Sequence, residues 1–335
     1  MNDQTRIRWG ILSTGHIAGR FAEALELLPD AEIAAVGSRD QETADAFAQQ
    51  YGVTRAHGSY EALAADPDID VIYIGTPHAF HLENATLCMR SGKAVLCEKA
   101  LTINASEAEE MVRIAREEKV FLMEAMIPRH VPLLKQVLGW VEAGRIGEVR
   151  MVNASRCARG TFDPEGRHMN PKLGGGSLLD VGVYVISFAY QVFGKAPVES
   201  TGVAHLGPLG SDEQGVAVLK YDDGAIANLS FALQTAAVAD AYIYGTDGYI
   251  KIDETFAVPH RASLVIDKEV VEVIEEPIIG DNALVYEAME TMRCLREGLL
   301  ESPFMPLDQS IEIMGTMDAL RRPWGLRYPN DAGRL

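Results

Sequence analysis

Basic residues are scarce in this chain of 335 residues. Its 30 Lys and Arg are outnumbered by 48 Asp and Glu, giving a formal net charge of −18 at pH 7. Because no block of Lys or Arg interrupts this excess, the chain repels phosphate backbones, which argues against nucleic acid as a partner. The same charge argues against adhesion to anionic membrane surfaces.

Cysteine and long apolar runs are also scarce. The four cysteines are widely spaced and form no CxxC pair, which argues against structural zinc and a disulfide scaffold, so no metal is expected. The longest apolar run, about Val181 to Phe193, is shorter than the roughly 20 residues of a membrane helix. The N-terminal residues lack the apolar region of a signal peptide. We therefore expect a cytoplasmic protein with no membrane partner.

Apolar residues, by contrast, are plentiful enough for a large core. They make up 47% of the chain, and at roughly 100–200 residues per domain the length predicts two domains. Over the first 125 residues short apolar stretches alternate with amphipathic ones, which predicts a parallel α/β sheet covered by helices on both faces. The strands are predicted at 6–12, 32–37, 71–74, 94–97 and 121–124, with helices at 15–28, 41–51, 59–65, 79–91 and 105–118.

The pattern changes after about residue 130. A helix at 131–143 and a strand at 148–157 precede a Gly/Pro-rich loop, a helix from about Gly176, and successive strands between Val198 and Val273. Turn signals separate these strands, so a mostly antiparallel sheet is expected. Two helices then end the chain, one capped by Asp281 and one from about Asp308 to Arg321. We divide the chain into domains at 1–126 and 127–335, with the last helix packing on the first domain as an option.

A glycine-containing loop joins the first predicted strand to the first predicted helix. Free backbone N–H groups and the helix dipole make this position suited to a dinucleotide pyrophosphate. The fingerprint G-x-G-x-x-G/A reads here Ser13-x-Gly15-x-x-Ala18, so the turn must be one that a residue with a Cβ adopts. An ordinary strand–helix turn is the alternative. The predicted cofactor residues of this loop are Ser13, Thr14, Gly15, His16 and Ile17.

The end of the second strand indicates which dinucleotide is used. An acidic residue there would bind a ribose 2′-hydroxyl, whereas this chain has Ser38 and Arg39, which suit a 2′-phosphate. Asp40 is assigned to capping of the following helix. NADP(H) is therefore favoured and NAD(H) stays open, with a solvated Arg39 as the alternative.

Two further places carry polar residues typical of a reactive centre. Lys99 directly follows a predicted buried strand, where it is either a catalytic cation or a surface lysine paired with Glu98. Asp180 and Tyr184 are four residues apart, so both side chains project from one helical face. A tyrosine beside a lysine ammonium is a workable proton relay, although most tyrosines in apolar helices are core residues.

Taken together, these segments resemble the Gfo/Idh/MocA oxidoreductase family. The likeness rests on the first loop, Thr76-Pro77-x-x-x-His81, Glu98-Lys99 and the Gly-Gly-Gly…Asp180…Tyr184 helix, and covers nearly the whole chain. Met123-Glu124-Ala125-Met126-x-x-Arg129 and the tail from Glu301 to Pro329 place it nearest the NADP-dependent branch of dimeric dihydrodiol dehydrogenases and D-xylose 1-dehydrogenases.

The resemblance implies a Rossmann domain followed by a domain built on a large, mostly antiparallel sheet, with the nicotinamide between them. Lys99 would be the catalytic lysine, Tyr184 the general acid/base, and Asp180 the residue that orients substrate hydroxyls. It also implies a homo-oligomer formed through the C-terminal sheet. Further predicted cofactor contacts are Thr76, Pro77, His78, His81, Glu98, Lys99 and Arg129, and Arg167 joins Lys99, Asp180 and Tyr184 on the substrate side.

One departure from the family leaves a second interpretation open. Ala100 follows Lys99 where the family has a proline, often after a cis peptide, so we expect either a trans bond or a strained cis bond. The leading hypothesis is an NADP(H)-dependent oxidoreductase that moves a hydride between nicotinamide and a carbinol carbon of a small polyhydroxylated substrate, a sugar or cyclic diol. The alternatives are a catalytically impaired NADP(H)-binding sensor or regulator, and a biliverdin-reductase-like or deoxysugar-pathway enzyme.

Overall fold

The computed structural model describes residues 6–160 and 162–332. Residues 1–5, which we expected to contain no signal sequence, lie outside it. The helices within the described residues are α1 (His16–Glu26), α2 (Gln41–Tyr51), α3 (Tyr60–Ala64), α4 (His81–Arg90), α5 (Ala105–Glu118), α6 (Pro132–Glu142), α7 (Val183–Phe193), α8 (Leu284–Glu297) and α9 (Leu307–Trp324).

The strands of the described chain form two sheets. They are β1 (Ile7–Leu12), β2 (Ala31–Gly37), β3 (Ala56–His57), β4 (Val71–Ile74), β5 (Ala94–Glu98), β6 (Leu122–Ala125), β7 (Val149–Cys157), β8 (Glu199–Leu206), β9 (Asp212–Lys220), β10 (Ile226–Ala232), β11 (Ala241–Gly245), β12 (Gly248–Ile252), β13 (Arg261–Ile266) and β14 (Glu269–Glu275). One of them, β3, has no counterpart among the predicted strands.

Two compact units divide the chain. Among the described residues, the first contains residues 6–102, 106–126 and 279–310, and the second contains residues 103–105, 127–160, 162–278 and 311–332. Apart from residues 103–105, the chain passes from the first unit to the second between Met126 and Ile127. Residues 279–310, however, group with the first unit, although our division at 127–335 assigns them to the second domain. The helix that joins the first unit is α8, whereas most of the last helix, α9, belongs to the second.

The first unit is a doubly wound parallel sheet. Its strand order is β3-β2-β1-β4-β5-β6, and every neighbouring pair runs parallel. This order places β1 and β4 side by side where the winding reverses, which is where ligands bind in open α/β sheets. The predicted Rossmann fold is therefore confirmed.

An aromatic stack joins the first strand to the first helix in this unit. Trp9 on β1 meets Phe21 of α1 edge-on at 5.2 Å between ring centroids, and Phe21 stacks on Tyr73 of β4 at 3.8 Å. All three side chains are fully buried. Large aromatic area removed from water stabilises the packing of α1 against the sheet and so fixes the loop between β1 and α1.

Helix α8 does not begin at the predicted Asp281 cap. Asp281 has a φ of 54° and lies in a turn before the helix, which starts at Leu284. The amide of Leu284 donates instead to the side chain of Asn282 at 3.3 Å, and Asn282 donates to the backbone oxygen of Arg20 at 2.8 Å. The prediction was wrong because the neighbouring Asn282 supplies the local acceptor and also ties the turn to α1.

The second unit contains an eight-stranded sheet. Its order is β14-β13-β12-β11-β7-β10-β9-β8, and all neighbouring pairs are antiparallel except β10 and β7. This arrangement confirms the predicted mostly antiparallel sheet.

The apolar helix of the second unit is buried. By length and composition Pro171–Phe193 is long enough to cross a membrane, and 78% of its most apolar stretch is buried inside the protein. A core helix has the same properties, so this stretch is weak evidence for a membrane span. It includes a single π-helical turn, Leu178–Gly182, followed by α7.

A buried cluster of opposite charges holds the end of the second unit. Arg321, 1% exposed, donates through Nη1 to Asp331 at 2.6 Å and through Nη2 to Asp318 at 2.7 Å. Asp331 also accepts from Asn104 at 3.1 Å, and Asp318 accepts from the amide of Ala105 at 2.9 Å. The cluster thereby fixes both the C-terminal segment and residues 103–105.

Candidate active site

The loop after β1 carries an unexpected backbone conformation. Ser13 has a φ of 113°, a region that favours glycine, so the expectation of a turn suited to a residue with a Cβ was wrong. Its hydroxyl donates to the backbone oxygen of Gly75 at 2.9 Å, and its amide donates to Gly37 at 3.1 Å. These bonds offset part of the conformational cost and join the loops after β1, β2 and β4.

Gly15 begins α1 in a way that leaves room for a ligand. It occupies the N-cap with φ −74° and ψ 175°, supplies no side-chain cap, and is followed by a first turn without acidic residues. A Cβ built on Gly15 would meet nothing within 4 Å among the described atoms, so packing within the protein does not require glycine there. The open approach and the helix N-terminal N–H groups fit a dinucleotide pyrophosphate. Thr14 and Ile17 are half-buried and His16 is exposed, and their predicted contacts with the cofactor stay predictions.

The three polar residues of the loop after β2 have different surroundings. Asp40 caps α2 by accepting from the amide and the hydroxyl of Thr43, both at 2.8 Å, and these bonds lower the pKa of Asp40. Ser38 is buried and donates its amide to His57 at 3.0 Å, whereas Arg39 is exposed. Because Asp40 is occupied by the cap, Ser38 and Arg39 are the groups left to meet a ribose substituent.

Lys99 follows β5, and its own amide is bound by the residue before it. Glu98 accepts from the Lys99 amide at 3.2 Å through Oε2 and from the Tyr73 hydroxyl at 2.6 Å through Oε1. The Lys99–Ala100 peptide bond is cis, one of the two alternatives expected. Both oxygens of Glu98 thus support the loop, while its predicted contact with the cofactor stays a prediction.

Two histidines bind the carbonyl groups of the same loop. His78 Nε2 lies 3.1 Å from the Lys99 oxygen, and His81 Nδ1 lies 3.0 Å from the Ala100 oxygen. His81 is fully buried, which lowers its pKa, and its Nε2 lies 2.8 Å from the Thr76 oxygen. His81 therefore joins the Thr76-Pro77 loop after β4 to the loop after β5.

Glu124 on β6 completes this support, and the sequence analysis gave it no role. Its Oε1 accepts from the Leu101 amide at 3.0 Å and its Oε2 accepts from the Ser310 hydroxyl at 2.7 Å. The side chain is 1% exposed. A buried carboxylate at a strand end that is part of a family motif was the available signal, but the bond to Ser310 spans 186 positions and could not be read from spacing.

A second buried acid, Glu287 on α8, was also missed. It is fully buried, and neither carboxyl oxygen has a hydrogen-bond partner among the described residues. Burial, and then the nearby Glu98, raise the pKa of Glu287 well above its usual value. Burial together with Glu98 and Glu287 also raises the pKa of Tyr73. Burial and the neighbouring Glu98 therefore both favour the protonated form of Glu287.

Within the second unit, the predicted substrate-side residues lie around the start of α7. Asp180, in the π-helical turn, accepts from Arg167 Nη1 at 3.1 Å and is 7% exposed. The guanidinium carbon of Arg156 lies 5.8 Å from the centroid of the Tyr184 ring. Arg129, predicted to contact the cofactor, is 4% exposed and donates to the hydroxyl and the backbone oxygen of Ser187 at 3.0 and 2.9 Å.

The glycine-rich entry to this helix is required by close packing. Gly176 has a φ of 134°, and a Cβ there would lie 2.2 Å from Asp212 Oδ1. Asp212 accepts from the Ser177 hydroxyl and the Leu178 amide, both at 2.6 Å, and so caps the turn that carries Asp180. Among the described residues, no group of His, Cys, Asp and Glu could hold a metal ion.

Family comparisons match both an N-terminal and a C-terminal part of the chain. Residues 7–126 match the model of an oxidoreductase family with an NAD-binding Rossmann fold, and residues 134–251 match the GFO/IDH/MocA C-terminal domain. The mouse trans-1,2-dihydrobenzene-1,2-diol dehydrogenase is 35% identical over 335 residues, covering 97% of this chain and 99% of the relative. This chain belongs to the GFO/IDH/MocA oxidoreductase family. The predictions of the family, of an oxidoreductase and of a nicotinamide dinucleotide cofactor are confirmed.

A second relative and two solved structures are similar to this chain over nearly its whole length. The dehydrogenase of the same name from Xenopus laevis is 38% identical over 96% of this chain and 99% of its own length. A solved structure of KijD10, a 3-ketoreductase from Actinomadura kijaniata in complex with NADP and TDP-benzene, superposes with a TM-score of 0.85 at 28% identity, covering 95% and 98% of the two chains. Aldose-aldose oxidoreductase from Caulobacter crescentus, at 23% identity and a TM-score of 0.85 over 95% of this chain and 97% of that one, shares the fold.

Proposed function

We propose that this enzyme is an NADP(H)-dependent dehydrogenase acting on a carbinol carbon of a small polyhydroxylated substrate, a sugar or a cyclic diol. The observation that carries the proposal is the placement of Lys99. It directly follows the inner strand β5, and the backbone of residues 99–101 is bound by the buried side chains of Glu98, His81 and Glu124. Loops at the carboxyl ends of parallel strands are the positions where such sheets bind ligands.

The chemistry assigns one task to each polar side chain. When bound, the nicotinamide accepts or supplies a hydride at its C4 atom. In the oxidative direction Tyr184, as phenolate, takes the proton of the substrate hydroxyl while the hydride leaves the carbinol carbon, so that a carbonyl forms. Lys99 is assigned to the substrate oxygen, and Asp180 accepts a hydrogen bond from a second hydroxyl.

Replacing the two reactive side chains tests this assignment. Lys99→Met and Tyr184→Phe are each expected to lower kcat by roughly 10²- to 10⁴-fold, while the Kd for NADPH changes little. Turnover is followed by NADPH absorbance on a panel of sugars, diols and ketones, and Kd by calorimetry. Near-normal turnover of both variants would remove the assignment. NADPH binding by the unmodified enzyme without turnover of any panel member would favour the sensor or regulator alternative.

The preference for NADP(H) is supported by the loop after β2. Asp40 is used as the cap of α2, and Arg39 is exposed beside Ser38. NADPH is expected to bind more tightly than NADH, and Arg39→Ala to narrow the difference, because the ion pair with the 2′-phosphate is lost. Equal affinities of the unmodified enzyme for the two cofactors would contradict the preference.

An assembly through the C-terminal sheet and a cytoplasmic location are further parts of the proposal. Apolar side chains on the outer face of β8 and β9 are exposed, among them Val203 at 68% and Val216 at 40%. Covering such a face on a second copy would remove this area from water. The four free cysteines suit a reducing compartment. Light scattering at micromolar concentration should give a mass above that of the 36.5 kDa monomer.

A further inference from the structure

An arginine follows two buried apolar residues in an alternating row on β7. Side chains of a strand alternate between its two faces, so Val152, Ala154 and Arg156 share one face. Val152 and Ala154 are buried at 0% and 5% exposure. Arg156 is the next member of the row, near the end of the strand, where it reaches the Tyr184 ring at 5.8 Å. A charged residue in this row needs a compensating group.

The structure supplies only part of that compensation. Nε of Arg156 is buried and has no hydrogen-bond partner among the described residues. No carboxylate of residues 6–160 or 162–332 forms an ion pair with its guanidinium. The Tyr184 ring gives a cation–π contact, which is weaker than a hydrogen-bonded ion pair. Only Nε is buried, and the side chain as a whole is half-buried, so an acceptor from outside the protein can still approach the guanidinium.

Arg167 shows what a compensated arginine looks like in the same unit. Its Nη1 donates to Asp180 at 3.1 Å, and the side chain is 46% exposed. Its charge is therefore balanced and partly hydrated. Positive charge beside Tyr184 comes instead from Arg156, whose planar guanidinium matches the oxygens of a carboxylate or a phosphate.

We propose that Arg156 is a specificity-determining residue that binds an anionic oxygen group of the substrate, a carboxylate or a phosphate, close to the carbinol on which Tyr184 acts. The inference rests on the proposed function and narrows its substrate class to acidic or phosphorylated polyols. The acceptor on the substrate takes the hydrogen bonds that the protein leaves unmade, and the Tyr184 ring keeps the guanidinium in place.

Matched substrates test the proposal. D-Glucuronate and D-glucose 6-phosphate are compared with neutral D-glucose, using NADP⁺ reduction to obtain kcat/KM. At least one anionic sugar is expected to exceed D-glucose by roughly 10- to 100-fold. Arg156→Met should lower kcat/KM for the anionic sugar more than for D-glucose and so abolish this preference, and Arg156→Lys should restore part of it. Arg159→Met, an exposed arginine on the same segment, is the matched control and should keep the preference. Which anion is preferred identifies a carboxylate or a phosphate.

Binding measurements separate failure of this inference from failure of the proposed function. The same three sugars are titrated calorimetrically against the unmodified protein, Arg156→Met and Arg159→Met, with NADP⁺ present and turnover not required. Binding of an anionic sugar that is lost only in Arg156→Met, without any turnover, would support the Arg156 site and reject the proposed reaction. Turnover with equal preference for all three sugars, or an equal loss for all three in Arg156→Met, would overturn the Arg156 assignment and leave the reaction standing. The absence of any anion preference in both turnover and binding also overturns it.

Discussion

The two units bury charge in opposite ways. The first places Glu287 near Glu98 with no cation among the described residues to neutralise it, whereas the second surrounds the buried Arg321 with Asp318 and Asp331. Opposite charges with good geometry fix a segment of chain, but a lone buried acid stays neutral and contributes less stability as pH rises. In the first arrangement, Glu98 directly precedes Lys99 in the chain.

The largest expected effect comes from breaking the balanced cluster. Arg321→Met leaves Asp318 and Asp331 buried without their cation, and the free energy of unfolding should fall by about 3–5 kcal/mol. Urea unfolding measures the change. The exposed neighbour Arg322 provides the control, because Arg322→Met should change stability by less than about 0.5 kcal/mol. Similar values for the two variants would show that the cluster does not hold the tail.

A smaller effect of opposite sign is expected in the first unit. The pKa of Glu287 is raised by burial and then by Glu98, so its stabilising contribution is complete below its unfolded pKa and is lost as pH rises through the folded value. Glu287→Gln removes this loss and should stabilise the protein by about 1–3 kcal/mol at pH 8, with little gain near pH 4. Thermal unfolding across this pH range measures it.

The same substitution one turn along α8 provides the control for that prediction. Although burial opposes it, bonds from Arg293 and Ser302 lower the pKa of Glu290 to about 2. Its contribution is present above its unfolded pKa and is lost as pH falls toward 2. Glu290→Gln should therefore destabilise the protein at pH 8, where Glu287→Gln stabilises it. Two changes of the same sign would defeat the comparison.

The smallest effect concerns backbone strain rather than charge. Ser13 has a positive φ, and its hydroxyl bonds Gly75. Ser13→Ala keeps the conformational cost and loses the bond, whereas Ser13→Gly loses the bond and relieves the cost. The Ser13→Gly variant should therefore be more stable than the Ser13→Ala variant by about 1–2 kcal/mol in urea unfolding. This is the reverse of the usual order, in which alanine is more stabilising than glycine. An alanine variant equal to or more stable than the glycine variant would contradict the strained turn.

Local sequence patterns were sufficient to predict most of the fold. The predicted bounds of α2, β4 and α5 coincide with those observed, because capping residues and apolar periodicity act over a few positions. The pattern could not reveal β3, since Ala56–His57 is too short to show a period. Nor could it give the sign of φ at Ser13, which depends on bonds to two other loops.

The site was predictable only at the level of its loops. Lys99 stands out because a lysine is unusual directly after a buried strand, and Tyr184 because it lies four residues from Asp180 on one helical face. The supporting side chains do not, because their bonds join distant parts of the chain, such as Tyr73 with Glu98 and Glu124 with Ser310. Likewise, the contact of Arg156 with the Tyr184 ring could not be predicted, because it forms only when β7 and α7 pack together.

The aromatic stack on β1 has a practical consequence for how unfolding can be followed. Trp9 lies in the first unit, while Trp140 and Trp324 lie in the second. Replacing the latter two by phenylalanine leaves a single indole emitter, fully buried against Phe21 and on the strand that leads into Ser13. The red shift of its fluorescence emission would then report the unfolding of the dinucleotide-binding unit alone. It would also reveal the order in which the two units unfold.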